Sequence, residues 1–389
     1  MRIALYTDSY TPSVDGVSAV VQAYARELPR FGAVCCVFAP AFPGTLPAVG
    51  VRSIPSIPLP KGFQYRLALP AADWALRASE RAFAPDLIHA HSPFAVGRRA
   101  MQTARRLGVP FVASFHTDYC SDLMRALHTP RLAAPFLRQI CSFYEAADDV
   151  WTMNSAAADI LRSYGFRGSI SLLPHGVTPE SGAAYLDAAA QTANRLRIDT
   201  RRLTFLFVGQ IIRQKNIALT LKALALLRGR LDFQMFFVGK GRDLCEFRAL
   251  ADSLGLSGRV FFTGYLPDRM LHGMYALADL FLFPSRYDTA GLVVAEAAAA
   301  AVPALVLRGS GASSGIADGV NGFLCEESPA SAAAAIERAA IDRQVLHLCG
   351  QAAQRTLVFR WPDICRRAAL RYRALIDSAS TRPIAETLS

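Results

Sequence analysis

Asp288 and Glu296 stand with seven residues between them in YDTAGLVVAEAAAA (287–300), a stretch otherwise small and mostly apolar. A carboxylate suits a buried segment only if something beside it needs the charge. The preceding LFLFPS reads as a strand and a Pro-Ser turn, and a helix is predicted to begin at Gly291. At such a start the N–H groups of Gly291, Leu292 and Val293 have no partner within the helix and could receive an anion such as a diphosphate. Glu296, about one and a half turns further in, would flank the same ligand and accept hydrogen bonds from sugar hydroxyls. The alternative is an ordinary exposed helix glutamate, which the flanking valines and alanines disfavour.

Three other places offer chemistry. In VGQIIRQKN (208–216) a strand ends, Gly209 opens a turn, Gln210 follows it, and Lys215 stands at the entry to a helix. A lysine there can hold phosphate, or it can be a solvated surface residue. With four lysines against 38 arginines in the chain, its placement carries some information. In VGKGRDL (238–244), Gly239 and Gly241 begin a dinucleotide-type fingerprint, but Leu244 breaks it, and a tight turn explains the glycines as well. In SFHTDY (114–119), His116 follows a strand at its carboxyl end, as a ligand-facing or a structural histidine.

These residues need elements to position them. RIALYTD (2–8), AVCCVFAP (33–40), DLIHAHSP (86–93), PFVASFHTD (110–118), DVWTMN (149–154) and SISLLPHGV (169–177) read as strands, and helices are expected over 19–32, 94–107 and 131–147. A turn-rich loop containing Gly16 joins the first strand to its helix. A second alternating series has strands over 202–210, 233–241, 259–267, 279–285 and 302–307, with helices over 216–229, 243–254, 268–277 and 291–301 between them. Two such series predict an α/β chain of two doubly wound, Rossmann-like domains facing across a cleft. The expected division is 1–178, a connection over 179–200, 201–358, a basic C-terminal helix over 359–378 returning to the N-terminal domain, and a flexible tail over 379–389. In such sheets ligands bind outside the carboxyl ends of the strands, which singles out Asp8, Gly16, His91, His116, Gln210 and Lys215.

Composition narrows the class. The 389 residues are 52% hydrophobic and 19% charged, which supports two packed cores. The net charge of +11 favours anionic partners, but the basic residues are scattered rather than massed as in a nucleic-acid tail. Phosphorylated ligands or an anionic membrane surface are expected, and nucleic acid is not. Eight cysteines without CxxC or Cys/His zinc spacing read as free thiols in a reducing compartment. MRIALYTDSYTP does not read as a signal peptide, and no window reads as a membrane span, so a cytoplasmic protein is expected.

Taken together, these motifs resemble the retaining glycosyltransferase family 4, of GT-B fold, over about residues 1–376. The matching segments are DGV (15–17), HAHSPF (89–94), SFHTDY (114–119), LPHGV (173–177), VGQIIRQKN (208–216), VFFTGYLP (260–267) and, above all, ADLFLFPSRYDTAGLVVAEAAAAAVPAL (278–305), which looks like that family's E-x7-E element. SIPSIPLPKGFQYRLALP (53–70) looks like the lipid-glycosylating subgroup. The resemblance implies transfer of a hexose from a UDP- or GDP-sugar to an acceptor, a membrane lipid such as diacylglycerol or phosphatidylinositol being favoured. A soluble or polysaccharide acceptor, or nucleotide-sugar epimerisation, is the alternative. Glu296 would bind the donor ribose, and Asp288 the donor sugar hydroxyls. Lys215 would neutralise the diphosphate, and His116 would contact the transferring sugar near its anomeric carbon. Gly16 would lie over the β-phosphate and Leu266 near the base.

The first acidic position holds Asp288, a methylene shorter than the usual Glu. Gln210 stands where the family often has a phosphate-binding Arg, and Arg213 is a candidate substitute. No D-x-D triad occurs, so a metal-independent reaction is expected, with a front-face route in which the diphosphate helps to deprotonate the acceptor. No cofactor is implied. Lys61, Phe63, Tyr65, Arg66, Trp74, Arg77 and Arg81, with Arg98, Arg99, Arg105 and Arg106 on the next helix, suggest peripheral contact with the inner face of the plasma membrane.

Overall fold

The computed structural model describes residues 1–13, 15–44, 48–59, 65–127, 129–289 and 291–381. Lys61, Phe63 and Ala290, and most of the expected flexible tail, lie outside the described residues. The chain divides into two compact units, Met1–Gly176 with Trp361–Ser389, and Val177–Arg360.

The first unit is built on β1 (Arg2–Tyr6), β2 (Val34–Pro40), β3 (Val51–Ile54), β4 (Ser56–Pro58), β5 (Arg66–Ala68), β6 (Leu87–Ala90), β7 (Phe111–Phe115), β8 (Asp149–Thr152) and β9 (Ile170–Leu172). Seven of them form one parallel sheet in the order β3-β2-β1-β6-β7-β8-β9, and β4 pairs with β5 antiparallel. The strands β6, β7 and β8 are buried at every residue, as expected of strands covered on both faces. The strand order reverses between β1 and β6, so the loops after these strands open at a switch point.

The helix after β1 begins at Gly16, earlier than the sequence suggested, and runs to Glu27. Asp15 is its cap, accepting the Ser18 N–H at 2.8 Å. Gly16 is therefore the first helical residue and not a loop residue. The C-terminal helix Trp361–Ser380 packs in this unit through Trp361, Ile364, Cys365, Ala368, Ala369 and Tyr372, all buried. Arg371 ties it to buried Asp149 at 2.7 Å.

The second unit carries β10 (Leu203–Val208), β11 (Phe233–Val238), β12 (Val260–Gly264), β13 (Leu280–Phe283), β14 (Ala304–Leu307) and β15 (Gly322–Cys325). They form a parallel sheet in the order β12-β11-β10-β13-β14-β15, with its switch point between β10 and β13. The helix Gly182–Leu196, read from sequence as part of a connection, belongs to this unit. It lies so close to the helix Asp268–Leu277 that a Cβ on Gly273 would collide with Thr192 and the backbone of Ala188. Ala188 and Ala189 are buried on this helix, and at Ala188 the close approach leaves room only for a small side chain.

Among the described residues no helix is long and apolar enough to cross a membrane. All eight cysteines are free thiols.

Candidate functional site

In the second unit the loops at the switch point carry the predicted residues. Gly209 leaves β10 at φ 151°, Gln210 is exposed, and Lys215 ends a short 3₁₀ turn before the helix Ile217–Leu227. The Lys215 ammonium lies 2.9 Å from Asp288 Oδ2 and 5.1 Å from the centre of the Phe283 ring. Phe283 is the last residue of β13, so Lys215 crosses from one mouth loop to the next.

The helix expected to start at Gly291 has that residue as its cap and runs Leu292–Ala299. Gly291 is held at φ 61°, and a Cβ there would lie 3.1 Å from Ala312 Cα, so the turn itself requires glycine. The Gly291 N–H is not free. It donates to Asp288 Oδ1 at 2.6 Å, because Asp288 is placed to cap the turn it enters. The N–H groups of Leu292 and Val293 precede the first intrahelical bonds, which start with Val294 donating to Gly291.

Glu296 accepts a 2.8 Å hydrogen bond from the Tyr275 hydroxyl, supplied by the helix Asp268–Leu277. Burial pushes the Glu296 carboxyl above its ordinary range; the Tyr275 bond opposes that shift and nearby Asp268 adds to it. Leu266, just past β12, is buried. Tyr275 is a site residue that the sequence reading missed, since a tyrosine on the buried side of a helix reads as core.

Arg213, the candidate substitute for the arginine absent at Gln210, is exposed and paired with an acidic side chain. Its guanidinium is bound to Glu246 at 2.6 Å. The glycines of VGKG have a packing reason: a Cβ on Gly239 or Gly241 would collide with the backbone of Gly209 or Ile211. Glu327, not anticipated, accepts hydrogen bonds from Asn216 and Arg286 and so joins the loops that follow β10, β13 and β15.

In the first unit no atom of the described residues outside its own helical turn lies within 4 Å of where a Cβ on Gly16 would stand, so packing among them does not require glycine there. Asp8 is a structural cap. It accepts from the Val96 and Gly97 N–H groups at 2.9 and 3.3 Å and from Ser92 Oγ at 2.6 Å, which binds the loop after β1 to the helix Ala95–Leu107. His116 has both ring nitrogens engaged: Nε2 is 3.1 Å from His91 Nδ1, and Nδ1 is 3.2 Å from His175 Nε2. Burial holds the His116 imidazole well below its ordinary range, and His175 and then His91 add to the effect. His89 lies beneath, bonded to Tyr372 at 2.6 Å and Ser114 at 2.8 Å.

The basic and aromatic surface is smaller than its sequence implied. Arg99 and Arg106 are bound to fully buried Glu80, each at 2.5 Å, and Arg66 is bonded to Ser56. Trp74 is 93% exposed, and Tyr65, Arg77, Arg81 and Arg105 are exposed with it.

Two parallel α/β units, each with a polar switch-point mouth, define the class that the comparisons identify. The family model described as Glycosyltransferase Family 4 matches residues 14–181, and that described as Glycosyl transferases group 1 matches residues 190–356. The chain belongs to the glycosyltransferases of GT-B fold that join these two domains. It is 28% identical to a GDP-mannose-dependent alpha-mannosyltransferase of Mycolicibacterium smegmatis, over 98% of this chain and 100% of that one. It is 25% identical to an alpha-monoglucosyldiacylglycerol synthase of Streptococcus pneumoniae, over 78% of this chain and 70% of that one. Its fold matches sucrose-phosphate synthase from Thermosynechococcus elongatus with a TM-score of 0.77 and 20% identity, over 97% of this chain and 99% of that one.

Proposed function

We propose that the chain transfers a hexose from a UDP- or GDP-sugar to a lipid acceptor such as diacylglycerol or a phosphatidylinositol derivative, with retention at the anomeric carbon and without a metal. The observation that carries this reading is the mouth of the second unit. There Lys215, the start of the helix Leu292–Ala299 and the buried-side carboxylate of Glu296 come from adjoining loops of one switch point. Lys215 and the Leu292 and Val293 N–H groups receive the diphosphate and stabilise the charge that develops as it leaves. Glu296, held by Tyr275, accepts the ribose hydroxyls. Asp288 turns from Lys215 to the sugar hydroxyls once phosphate takes the ammonium. Positive charge at the leaving group thus comes from the protein. The acceptor oxygen is deprotonated on the same face of the sugar by the departing diphosphate.

In the first unit, Gly16 offers an open approach to a phosphate, and His116 meets the sugar. The relatives' names, one mannosyl transfer from GDP-mannose and one glucosylated diacylglycerol, support a hexose and a lipid-related acceptor. The exposed Trp74, Tyr65, Arg77, Arg81 and Arg105 suit a peripheral contact with anionic lipid.

A matrix of UDP- and GDP-sugars against diacylglycerol, phosphatidylinositol and soluble sugars, read by mass spectrometry, tests the reading. A hexose added to a lipid supports it. Product only on soluble sugars, or epimerised donor without transfer, overturns it.

A further inference from the structure

Three of the chain's seven histidines form a continuous row. His91, at the end of β6, meets His116, at the end of β7, and His116 meets His175, beyond β9. The His91 and His116 rings are stacked, with centres 5.4 Å apart and planes 11° apart, and those of His116 and His175 are 5.2 Å apart. The groups facing the row are His89, whose ring centre is 4.0 Å from that of His91, Tyr24 from the helix Gly16–Glu27, and Trp361 from the C-terminal helix. Tyr372 reaches it through His89. Burial disfavours charge on all of His89, His91 and His116.

A neutral imidazole has one N–H and one acceptor nitrogen. Three neutral rings joined through two contacts can satisfy both in only two ways: every ring protonated on Nδ1, or every ring protonated on Nε2. The ends distinguish them. His91 Nε2 is buried and has no hydrogen-bond partner among the described residues. Protonating that nitrogen would strand a buried donor at His91, whereas the Nδ1–H form moves the end donor to His175 Nδ1, which is buried as well but belongs to a ring that lines a water-sized cavity. The Nδ1–H form places its outermost N–H on His175. His175 lines, with His116, Ser114 and Thr152, a cavity of about 10 Å³, room for about one water to accept that N–H.

We propose that His91 and His175 are positioning residues that clamp His116 between them and lock it in the Nδ1–H tautomer. The inference rests on the reading that His116 meets the donor sugar. It goes further, in that the orientation and proton of His116 are set by two residues that need not touch the sugar. To use a ring nitrogen on substrate, His116 must release one of its two partners. His91, on a fully buried strand end, is fixed, so His175 is the partner that yields.

The test uses the full chain labelled with ¹⁵N-histidine, and its two-bond ¹H–¹⁵N spectra read each ring's tautomer without any substrate. The row predicts Nδ1–H at His91, His116 and His175. His91→Asn keeps a donor where Nδ1 stood and preserves the His116 tautomer, whereas His91→Phe lets the Nε2–H form appear. With GDP-mannose and UDP-glucose as donors and diacylglycerol vesicles as acceptor, His91→Phe lowers kcat about tenfold, the size of one hydrogen bond, at little-changed donor KM. His91→Asn stays within about threefold of wild type. An Nε2–H wild-type row, an unchanged tautomer and kcat in His91→Phe, or equal damage in His91→Asn and His91→Phe overturns the proposal. Should His91→Phe not fold, His175→Gln against His175→Leu makes the same comparison from the other side. His116→Ala separates the two claims. If it leaves turnover intact, the sugar contact is wrong. If it abolishes turnover while His91→Phe does nothing, only the clamp is wrong.

Discussion

Lys215 and Asp288 meet at 2.9 Å although 72 residues separate them, because β10 and β13 are parallel neighbours and their loops leave the same, carboxyl end of the strands. The other Asp288 oxygen accepts the Gly291 N–H. One carboxylate therefore occupies a cation and a helix-start donor at once, the two kinds of group a diphosphate would use. Both partners are about one-fifth exposed, so the pair is worth roughly 1 kcal/mol. Asp288→Asn is expected to tighten GDP or UDP binding about fivefold by calorimetry, the equivalent of that ~1 kcal/mol, while sugar transfer slows. Weaker nucleotide binding would show that Asp288 shapes the site rather than competing for it.

The two glycines should respond in opposite ways. Gly16 opens a helix and has space among the described residues where a Cβ would stand, so Gly16→Ala should leave the melting temperature unchanged or slightly higher. Its transfer rate should nevertheless fall, since only a ligand needs the space. Gly291→Ala puts a side chain at φ 61° against Ala312 and should cost about 1–2 kcal/mol of stability before any ligand is added. Thermal melts paired with initial rates separate the cases.

Acid should weaken the first unit in two stages. His89, His91 and His116 are held well below the ordinary 6.5, so the unfolded chain binds protons that the folded one refuses. That stabilising difference is present above about 6.5 and declines as pH falls below it. Burial alone would raise the Glu80 carboxyl, but hydrogen bonds from Arg99 and Arg106 outweigh it and hold Glu80 below the ordinary 4.5. Its contribution is present above 4.5 and is lost further down, through the depressed value. Melting temperatures from pH 8 to 4 should first decline near 6.5. Replacing His89 with Asn should blunt that first stage.

Glu80→Gln should destabilise the fold by about 3 kcal/mol, because it leaves two arginines beside a buried amide. Urea unfolding measures it, and a loss below about 0.5 kcal/mol would mean that the arginines find water instead.

The alternating strands and helices were legible because buried parallel strands are near-continuous apolar runs bounded by turns. Short strands were less legible, among them β15, whose four residues begin with glycine, and β3, β4 and β5; the Gly182–Leu196 segment reads as helical, but its polar, alanine-rich pattern hides a tight helix contact. At the candidate site, sequence spacing placed Lys215 and Asp288 at strand mouths but could not show that they meet. It named His116 without its neighbours' nitrogens, because the distance between β6, β7 and the segment beyond β9 is a property of the sheet. Arg213, a plausible phosphate ligand by position, is turned to Glu246 by a contact 33 residues away.

Glu296 carries the central claim, that the mouth between β10 and β13 holds the nucleotide of a sugar donor. Calorimetric titration of GDP and of UDP into the full chain and into Glu296→Ala tests it most directly. Wild-type protein should bind one of the two, and Glu296→Ala should bind it at least tenfold more weakly, the equivalent of ~1.4 kcal/mol for hydrogen bonds to a carboxylate. Undiminished binding in Glu296→Ala would contradict the assignment.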